Sequence, residues 1–261
     1  MRQWQREDPA ASAAFRAAEG EVEFQSDGTM VNSYAGWREM RLSIFAKRRP
    51  GQAVTGRDDW EQRDLPAPHV RVIQAGVRSG EQLGPAWRRM AARLGLRQAE
   101  EVTAIADGAK WIWRQLDEHL PGVAGVLDIY HASEQLWAAA RRQFGEGAAE
   151  ARAWVEARRE TLLREGAAGL LGELSGAEWS GVRGYFEPHR DHTDYAGRLA
   201  SGRPIGSGMV EGSCKQVIGR RLKQTGARWK VRRVERMATL CAVQGSGQWD
   251  AYWGKAAERN T

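Results

Sequence analysis

The feature that most constrains the fold is the order in which the apolar residues change period along the first half of the chain. Val22 and Phe24 alternate with charged or polar neighbours up to Ser26-Asp27-Gly28-Thr29, and Met40, Leu42 and Ile44 alternate with Arg41 and Ser43. A period of two is that of half-buried strands, so these runs predict an antiparallel pair with Asp27 near the end of the first. After loop-like sequence around Asp58, Asp59, Asp64 and Pro66, the stretch His69 to Ile73 predicts a third strand. At Ser79 the period becomes helical. Ser79-Gly80-Glu81-Gln82 is a capping-box pattern, and Leu83, Trp87, Met90 and Leu94 follow at helical spacing up to Gly95. Val102 to Ala106 then predicts a fourth strand running into Asp107-Gly108. Trp111, Ile112, Leu116 and His119 share a helical face ended by Pro121-Gly122, and Val123 to Tyr130 predicts a fifth strand. Three strands followed by alternating helix and strand imply an α/β fold: a mixed five-stranded sheet flanked by helices, its later strands parallel through crossover helices.

From His131 to about Ala200 the pattern is helical, anchored by residues such as Leu136, Trp154, Leu162 and Leu170. That is too long for a loop, and residues 146–200 are expected to form an all-helical insertion. Ser201 to Gly208 breaks the pattern. A helix follows with Val210, Cys214, Val217, Ile218 and Leu222 on its buried face, then an interruption at Thr225-Gly226 and a last amphipathic helix from Val231 to Val243. The sheet domain is thus expected to comprise residues 21–145 and 201–244, with a tail over 245–261. Arg2 to Glu19 predicts a short helix, with Asp8 placed as its cap and Pro9 in its first turn.

Composition excludes several classes. With 42% hydrophobic residues, 28% charged and 8 Pro in 261 residues, the chain is neither disordered nor collagen-like. Two cysteines, Cys214 and Cys241, cannot form a disulfide scaffold and read as free thiols of an intracellular protein. No apolar run approaches the ~20 residues that span a bilayer, and the first residues lack the apolar stretch of a signal peptide, so a soluble cytoplasmic protein with no membrane partner is expected. The net charge is +6. Ten basic residues stand against two acidic ones between Ser201 and Leu240, a net +8, which leaves −2 for the rest of the chain. A cationic segment on a near-neutral scaffold suits a polyanion.

Three acids stand at expected element ends beside glycine: Asp27-Gly28, Asp107-Gly108, and Glu211 after Gly206-Ser207-Gly208. Glycine lets the backbone approach bulky or anionic groups, and converging carboxylates suit hard cations such as Mg²⁺. Two such ions roughly 3.5–4 Å apart can stabilise the attacking and leaving oxygens of a phosphodiester displacement. Any one Asp-Gly pair alone is better read as an ordinary loop acid; the joint placement points to a site. Asp128 competes for the role of second acid, but it lies inside the apolar run Val126 to Tyr130, whereas Asp107 ends a strand. Asp128 and His131 read equally well as a capped, exposed strand-to-helix junction. His189 and His192 have a metal-ligand spacing that no paired-cysteine motif completes, so a solvated helix end or loop is the expectation. Trp87 and Trp137 fall at core spacing, and Trp229, between Arg228 and Lys230, is the tryptophan expected at DNA.

The blocks Ser26-Asp27-Gly28-Thr29, Ala106-Asp107-Gly108-Ala109-Lys110-Trp111-Ile112-Trp113, Asp128-Ile129-Tyr130-His131 and Pro204-Ile205-Gly206-Ser207-Gly208-Met209-Val210-Glu211-Gly212, continued by Arg220-Arg221-Leu222-Lys223 and Arg228-Trp229, resemble those of bacterial insertion-sequence DDE transposases. The likeness is to the Kra group, related to Mutator-like elements, and runs from about Val22 to Trp253. It implies a ribonuclease-H-like core with a helical insertion before the final acid, and Asp27, Asp107 and Glu211 as a catalytic triad binding two Mg²⁺ (or Mn²⁺) ions. His131 would contact the scissile phosphate or brace the site, with Asp128 behind it. Lys215, Arg220, Arg221, Lys223, Arg228, Trp229 and Lys230 would contact DNA. The implied activity is DNA cleavage at element ends and strand transfer by a homo-oligomer assembled on DNA in the bacterial cytoplasm, at the nucleoid, with no small-molecule cofactor. Members of this group carry a long end-recognition region before the first acid. Only 26 residues precede Asp27 here, so residues 1–20 are expected to be a helical remnant of it. Two other activities fit the same residues: a truncated, inactive DNA-binding protein, or a ribonuclease-H-like nuclease without strand transfer.

Overall fold

A five-stranded sheet in the order β3-β2-β1-β4-β5 organises the molecule. The computed structural model describes residues 9–96 and 102–258. β1 (Glu21–Ser33), β2 (Gly36–Arg48) and β3 (Val70–Gly76) form an antiparallel meander, and β4 (Val102–Ala106) and β5 (Ala124–Leu127) join β1 in parallel. This is the mixed five-stranded sheet that the alternation of periods predicts, and it is consistent with the ribonuclease-H-like core that the resemblance implies. The parallel strands are linked by helices, α2 (Gly80–Leu94) before β4 and α3 (Lys110–His119) between β4 and β5. Ser79 opens α2, its N–H donating to Gln82 Oε1 at 3.3 Å, and Gly95 ends it in the left-handed conformation (φ 74°).

The strand boundaries correct the sequence reading. β1 and β2 run 13 residues each and turn at Tyr34-Ala35, so Asp27 lies mid-strand rather than at a strand end. β5 ends at Leu127, and Ile129 and Tyr130 already belong to α4 (Ile129–Phe144). The predicted N-terminal helix is described over Pro9–Ala17 (α1); residues 2–8 of it lie outside the described residues. It is tied into the fold: Phe15 is fully buried, and Lys47 Nζ donates to the Arg16 and Ala18 carbonyls. The expected tail includes a further helix, Trp249–Glu258.

Between residues 146 and 200 the elements are α5 (Ala149–Glu173), a 3-10 turn (Ala177–Trp179), α6 (Ser180–Phe186), a 3-10 segment (Glu187–His192) and α7 (Tyr195–Ala200). Their apolar residues are continuous with one face of the sheet. Val155, Leu162, Leu170, Phe186 and Leu199 belong to the same buried cluster as Phe24, Phe45 and Trp87. The opposite face is covered by α8 (Gly208–Ser213), a π turn (Cys214–Gly219), α9 (Arg220–Leu222) and α10 (Val231–Gly245), with Val210, Cys214, Val217, Ile218, Leu222 and Val234 packed against Met40, Leu42 and Ile44. Burying one apolar face of each element on both sides of the sheet is what orders these helices. Both cysteines are buried and unpaired. Among the described residues no helix is long and apolar enough to cross a membrane.

Candidate functional site

The site is built where β1 outruns its parallel neighbour. β1 and β4 pair from Val22↔Val102 to Gln25↔Ile105, β1 continues past this pairing through Asp27, and Asp107 lies one residue beyond the end of β4, close enough for its charge to act on Asp27. β4 stops at Ala106, leaving Asp107 free to turn with the chain; its Oδ1 accepts from the Ala109 N–H at 2.9 Å, and its carbonyl accepts from Trp113 Nε1 at 2.7 Å. Gly108 is required at this bend, because a Cβ there would collide with the Tyr185 ring that covers it. On β1, Gln25 and Asp27 project from the same sheet face. Gln25 Oε1 accepts from the Val210 N–H at 2.9 Å, which holds the first turn of α8, and so Glu211, over the strand position occupied by Asp27.

A second junction fixes the same turn of α8. Asp128, fully buried, caps α4: its Oδ1 accepts from the Tyr130 and His131 N–H groups at 2.7 and 2.9 Å, and its Oδ2 accepts from the Ser207 N–H. The Ile129 N–H donates to the Ile205 carbonyl at 3.1 Å, and Ser207 Oγ lies 2.9 Å from Glu211 Oε1. The glycine-rich segment before α8 is thereby clamped onto the β5–α4 junction. The capping alternative for Asp128 is what the structure shows, at a buried rather than exposed position.

An open cleft of about 810 Å³ results, lined by Asp27, His131, Glu211, Lys215, Arg220 and Lys223 among others. Lys215, Arg220 and Lys223 are exposed, and Lys223 Nζ lies 2.9 Å from Thr29 Oγ1. Of the other residues expected at DNA, Arg221, Arg228 and Lys230 are exposed but do not line the cleft. Trp229 is only partly exposed: it packs on the second core cluster, its Nε1 donates to the Leu222 carbonyl at 3.0 Å, and its backbone bonds to Asn32 and Tyr34 beside the β1–β2 turn. It braces the hairpin.

Electrostatics tie the acids together. Burial pushes the Asp27 carboxyl above its usual range. The Gly28 N–H at 2.6 Å and the His131 charge oppose the shift, and the neighbouring Asp107 and Glu211 charges add to it. His131 Nδ1 lies 3.3 Å from Asp128 Oδ1, and this contact, outweighing partial burial, raises its pKa to about 9. Burial alone would raise the Asp128 carboxyl, but donors from His131 and Ser207 hold it below its usual value. His131 is therefore an imidazolium at neutral pH.

The ligand atoms of Asp128, His131 and Glu211 lie within 4.8 Å of one another and could hold a metal ion. Their chemistry suits one poorly: both Asp128 oxygens already accept backbone N–H donors, and a charged His131 has no lone pair to give until it loses its proton. Asp27, Asp107 and Glu211 do not form such a tight set. Each of the three engages one carboxylate oxygen in a hydrogen bond to the protein, through Gly28, Ala109 and Ser207 respectively, leaving the other as a hard donor of the kind Mg²⁺ prefers.

Several lining or supporting residues escape sequence reasoning. Glu134 lies one helical turn beyond Tyr130 and His131, a spacing that would have placed it on the same face; Gln25, two residues before Asp27, is a same-face strand partner. His189 is buried, 4% exposed, and His192, partly exposed, stacks on Trp113 at 4.2 Å and 9°. Burial lowers both imidazoles. They pack behind the Asp107 turn through Trp113, and nothing in a two-His spacing signals this. No protein-family model and no curated protein sequence matches the chain.

Proposed function

We propose that the chain is a metal-dependent DNA phosphoryl transferase, a transposase catalytic domain of the DDE type resembling the Kra group. The observation that carries this reading is the stagger of β1 against β4. β1 continues past the end of β4, and the charges of Asp107, one residue beyond that end, and of Glu211 are both felt at Asp27. Acidic charges gathered around the partly buried Asp27 are costly to the fold and useful to a reaction that needs concentrated negative charge for cations. Bound there, one or two Mg²⁺ or Mn²⁺ ions would supply Lewis-acid stabilisation of the oxygens of a phosphodiester displacement.

The chain's own side chains do the rest. Lys215, Arg220 and Lys223 flank the acids and hold the phosphate backbone across the cleft. His131, kept charged by Asp128, presents a cation to a non-bridging phosphate oxygen and offsets charge there. The DNA-end specificity, the target and the oligomer formed on DNA belong to the same proposal.

Nicking of supercoiled plasmid with Mg²⁺, Mn²⁺ or EDTA tests it. Metal-dependent nicks that vanish in Asp107→Asn are expected, and strand transfer is scored separately as joined products. Nicks without joining would identify a nuclease. Salt-sensitive, metal-independent binding without cleavage would identify a DNA-binding protein, and unchanged cleavage by Asp107→Asn would refute the site.

A further inference from the structure

Tyr130 stands between the acidic cleft and a second cleft of about 380 Å³, lining both. The second cleft has a different character. Its aromatic wall is Trp60, 6% exposed, and Tyr130, 43% exposed, with ring centroids 6.0 Å apart and planes tilted by 42°. Arg63 adds a guanidinium 5.7 Å from the Trp60 ring. Its Nη atoms donate to the Trp60 and Arg203 carbonyls, while its buried Nε has no hydrogen-bond partner. The facing wall is backbone. A Cβ at Gly206 would come within 2.7 Å of the Tyr130 ring, whereas Gly208 and Gly212 border open space. The acid at the rim, Glu61, is paired with Arg159, so the cleft presents aromatic rings, arginines and glycine backbone.

We propose that this second cleft takes one unpaired nucleobase of the DNA strand whose adjoining phosphate lies among Asp27, Glu211 and Lys223. The inference rests on the function proposed above and adds to it a subsite for an unstacked nucleotide. A base presents a π face to the exposed Tyr130 ring, which buried Trp60 backs, and hydrogen-bonding edges to Arg63 and the glycine backbone, and such stacking tolerates any base. A base kept in a duplex cannot enter without losing its partner and its stack.

The test uses the full chain in EDTA, so that cleavage plays no part. The probes are a mixed-sequence single-stranded oligonucleotide with one 2-aminopurine and the matching blunt duplex. Binding of the single strand is expected to change the 2-aminopurine emission. In Tyr130→Ala the ratio of single-strand to duplex affinity should fall about tenfold with loss of the emission change. Tyr130→Phe should retain both. Tyr130→Leu, which keeps apolar volume without a π face, should behave as Tyr130→Ala if the Ala variant proves unstable. An emission change that persists in Tyr130→Ala and Tyr130→Leu, or single-strand binding with no emission change at any label position, overturns the subsite. Failure of plasmid nicking alongside a Tyr130-dependent emission change would refute the catalytic reading and leave the subsite standing.

Discussion

Asp128→Asn removes one charge from a fully buried side chain that joins three elements. The carboxylate caps α4 through the Tyr130 and His131 N–H groups, receives the Ser207 N–H, and faces His131 Nδ1 at 3.3 Å. Asn keeps one oxygen to cap α4, so the cap itself changes little, but the Ser207 N–H is left facing an amide N–H instead of an oxygen, which costs about 1–3 kcal/mol. A loss of about 2 kcal/mol follows. At ~2–4 °C per kcal/mol for a chain of this size class, Tm falls by roughly 4–8 °C. The pH signature is specific. Asp128 titrates below its ordinary value in the folded state, so its contribution is present above the unfolded carboxyl range and is lost as pH falls through the lowered folded value. His131 titrates at about 9, so its contribution is complete below the ordinary imidazole range near 6.5 and is lost as pH rises through 9. The pair therefore stabilises most between about pH 4 and 6.5. Urea denaturation at pH 5.5, 7.5 and 9.5, with an NMR titration of His131, reads both effects in metal-free protein. The variant should lose the decline above pH 6.5, and His131 should titrate nearer 6.5. A variant within 0.5 kcal/mol of wild type, or with His131 still titrating near 9, would refute the clamp.

Two further substitutions follow from buried charge. Asp27→Asn should stabilise the metal-free protein by about 0.5–1 kcal/mol at pH 7, since burial and the Asp107 and Glu211 charges disfavour its ionised form. The gain should shrink as pH falls through the ordinary carboxyl range, because a raised pKa lets folded wild-type Asp27 take up its proton more readily than the unfolded chain does, and the same variant should lose metal-dependent nicking; thermal melts at neutral and at acid pH check the sign. Arg48→Met should destabilise by about 3–5 kcal/mol, because it strands Glu23, 2% exposed and 2.8 Å from Arg48 Nε, without its partner. Burial already raises the Glu23 carboxyl, so the loss should ease at acid pH and be largely recovered in Glu23→Gln/Arg48→Met.

The sheet was legible from periodicity because each strand buries one face or both, and the helices because their apolar residues recur on one side. What escaped was geometry set by partners distant in sequence. Asp27-Gly28 looks like a turn, yet β1 continues to Ser33 because β2 pairs with it along its whole length and Trp229 adds a bridge at Ser33. Asp128 looks like part of a strand because Val126 to Tyr130 is apolar. Its capping role depends on Ser207, far along the chain. The acids Asp27, Asp107 and Glu211 could be nominated from their glycine neighbours, but the cleft that Asp27 and Glu211 line, with Asp107 outside its lining, depends on the Gln25–Val210 bond and the Asp128–Ser207 bond. His189 and His192 carried a pattern suggestive of metal and turned out to be packing around Trp113.

The helical segment 146–200 offers a last test, of whether it folds as an independent unit. An insertion with its own core would bury its apolar residues against one another. Here Val155, Leu162, Leu170 and Leu199 share one cluster with Phe24 of β1 and Trp87 of α2, Tyr195 Oη donates to the Leu127 carbonyl of β5 at 2.7 Å, and Arg198 Nε donates to the Pro204 carbonyl before α8. Removing the segment would expose the sheet face that β4 and β5 bury, so neither part retains a complete core alone. Urea unfolding should accordingly be one transition, with coincident midpoints by far-ultraviolet circular dichroism and by tryptophan emission. Trp154 and Trp179, stacked at 4.3 Å within the helical segment, and Trp87 beneath the sheet make the emission sensitive to both parts. Non-coincident midpoints, or a plateau between two transitions, would show that the segment holds itself together and that the shared cluster is a contact surface between two cores.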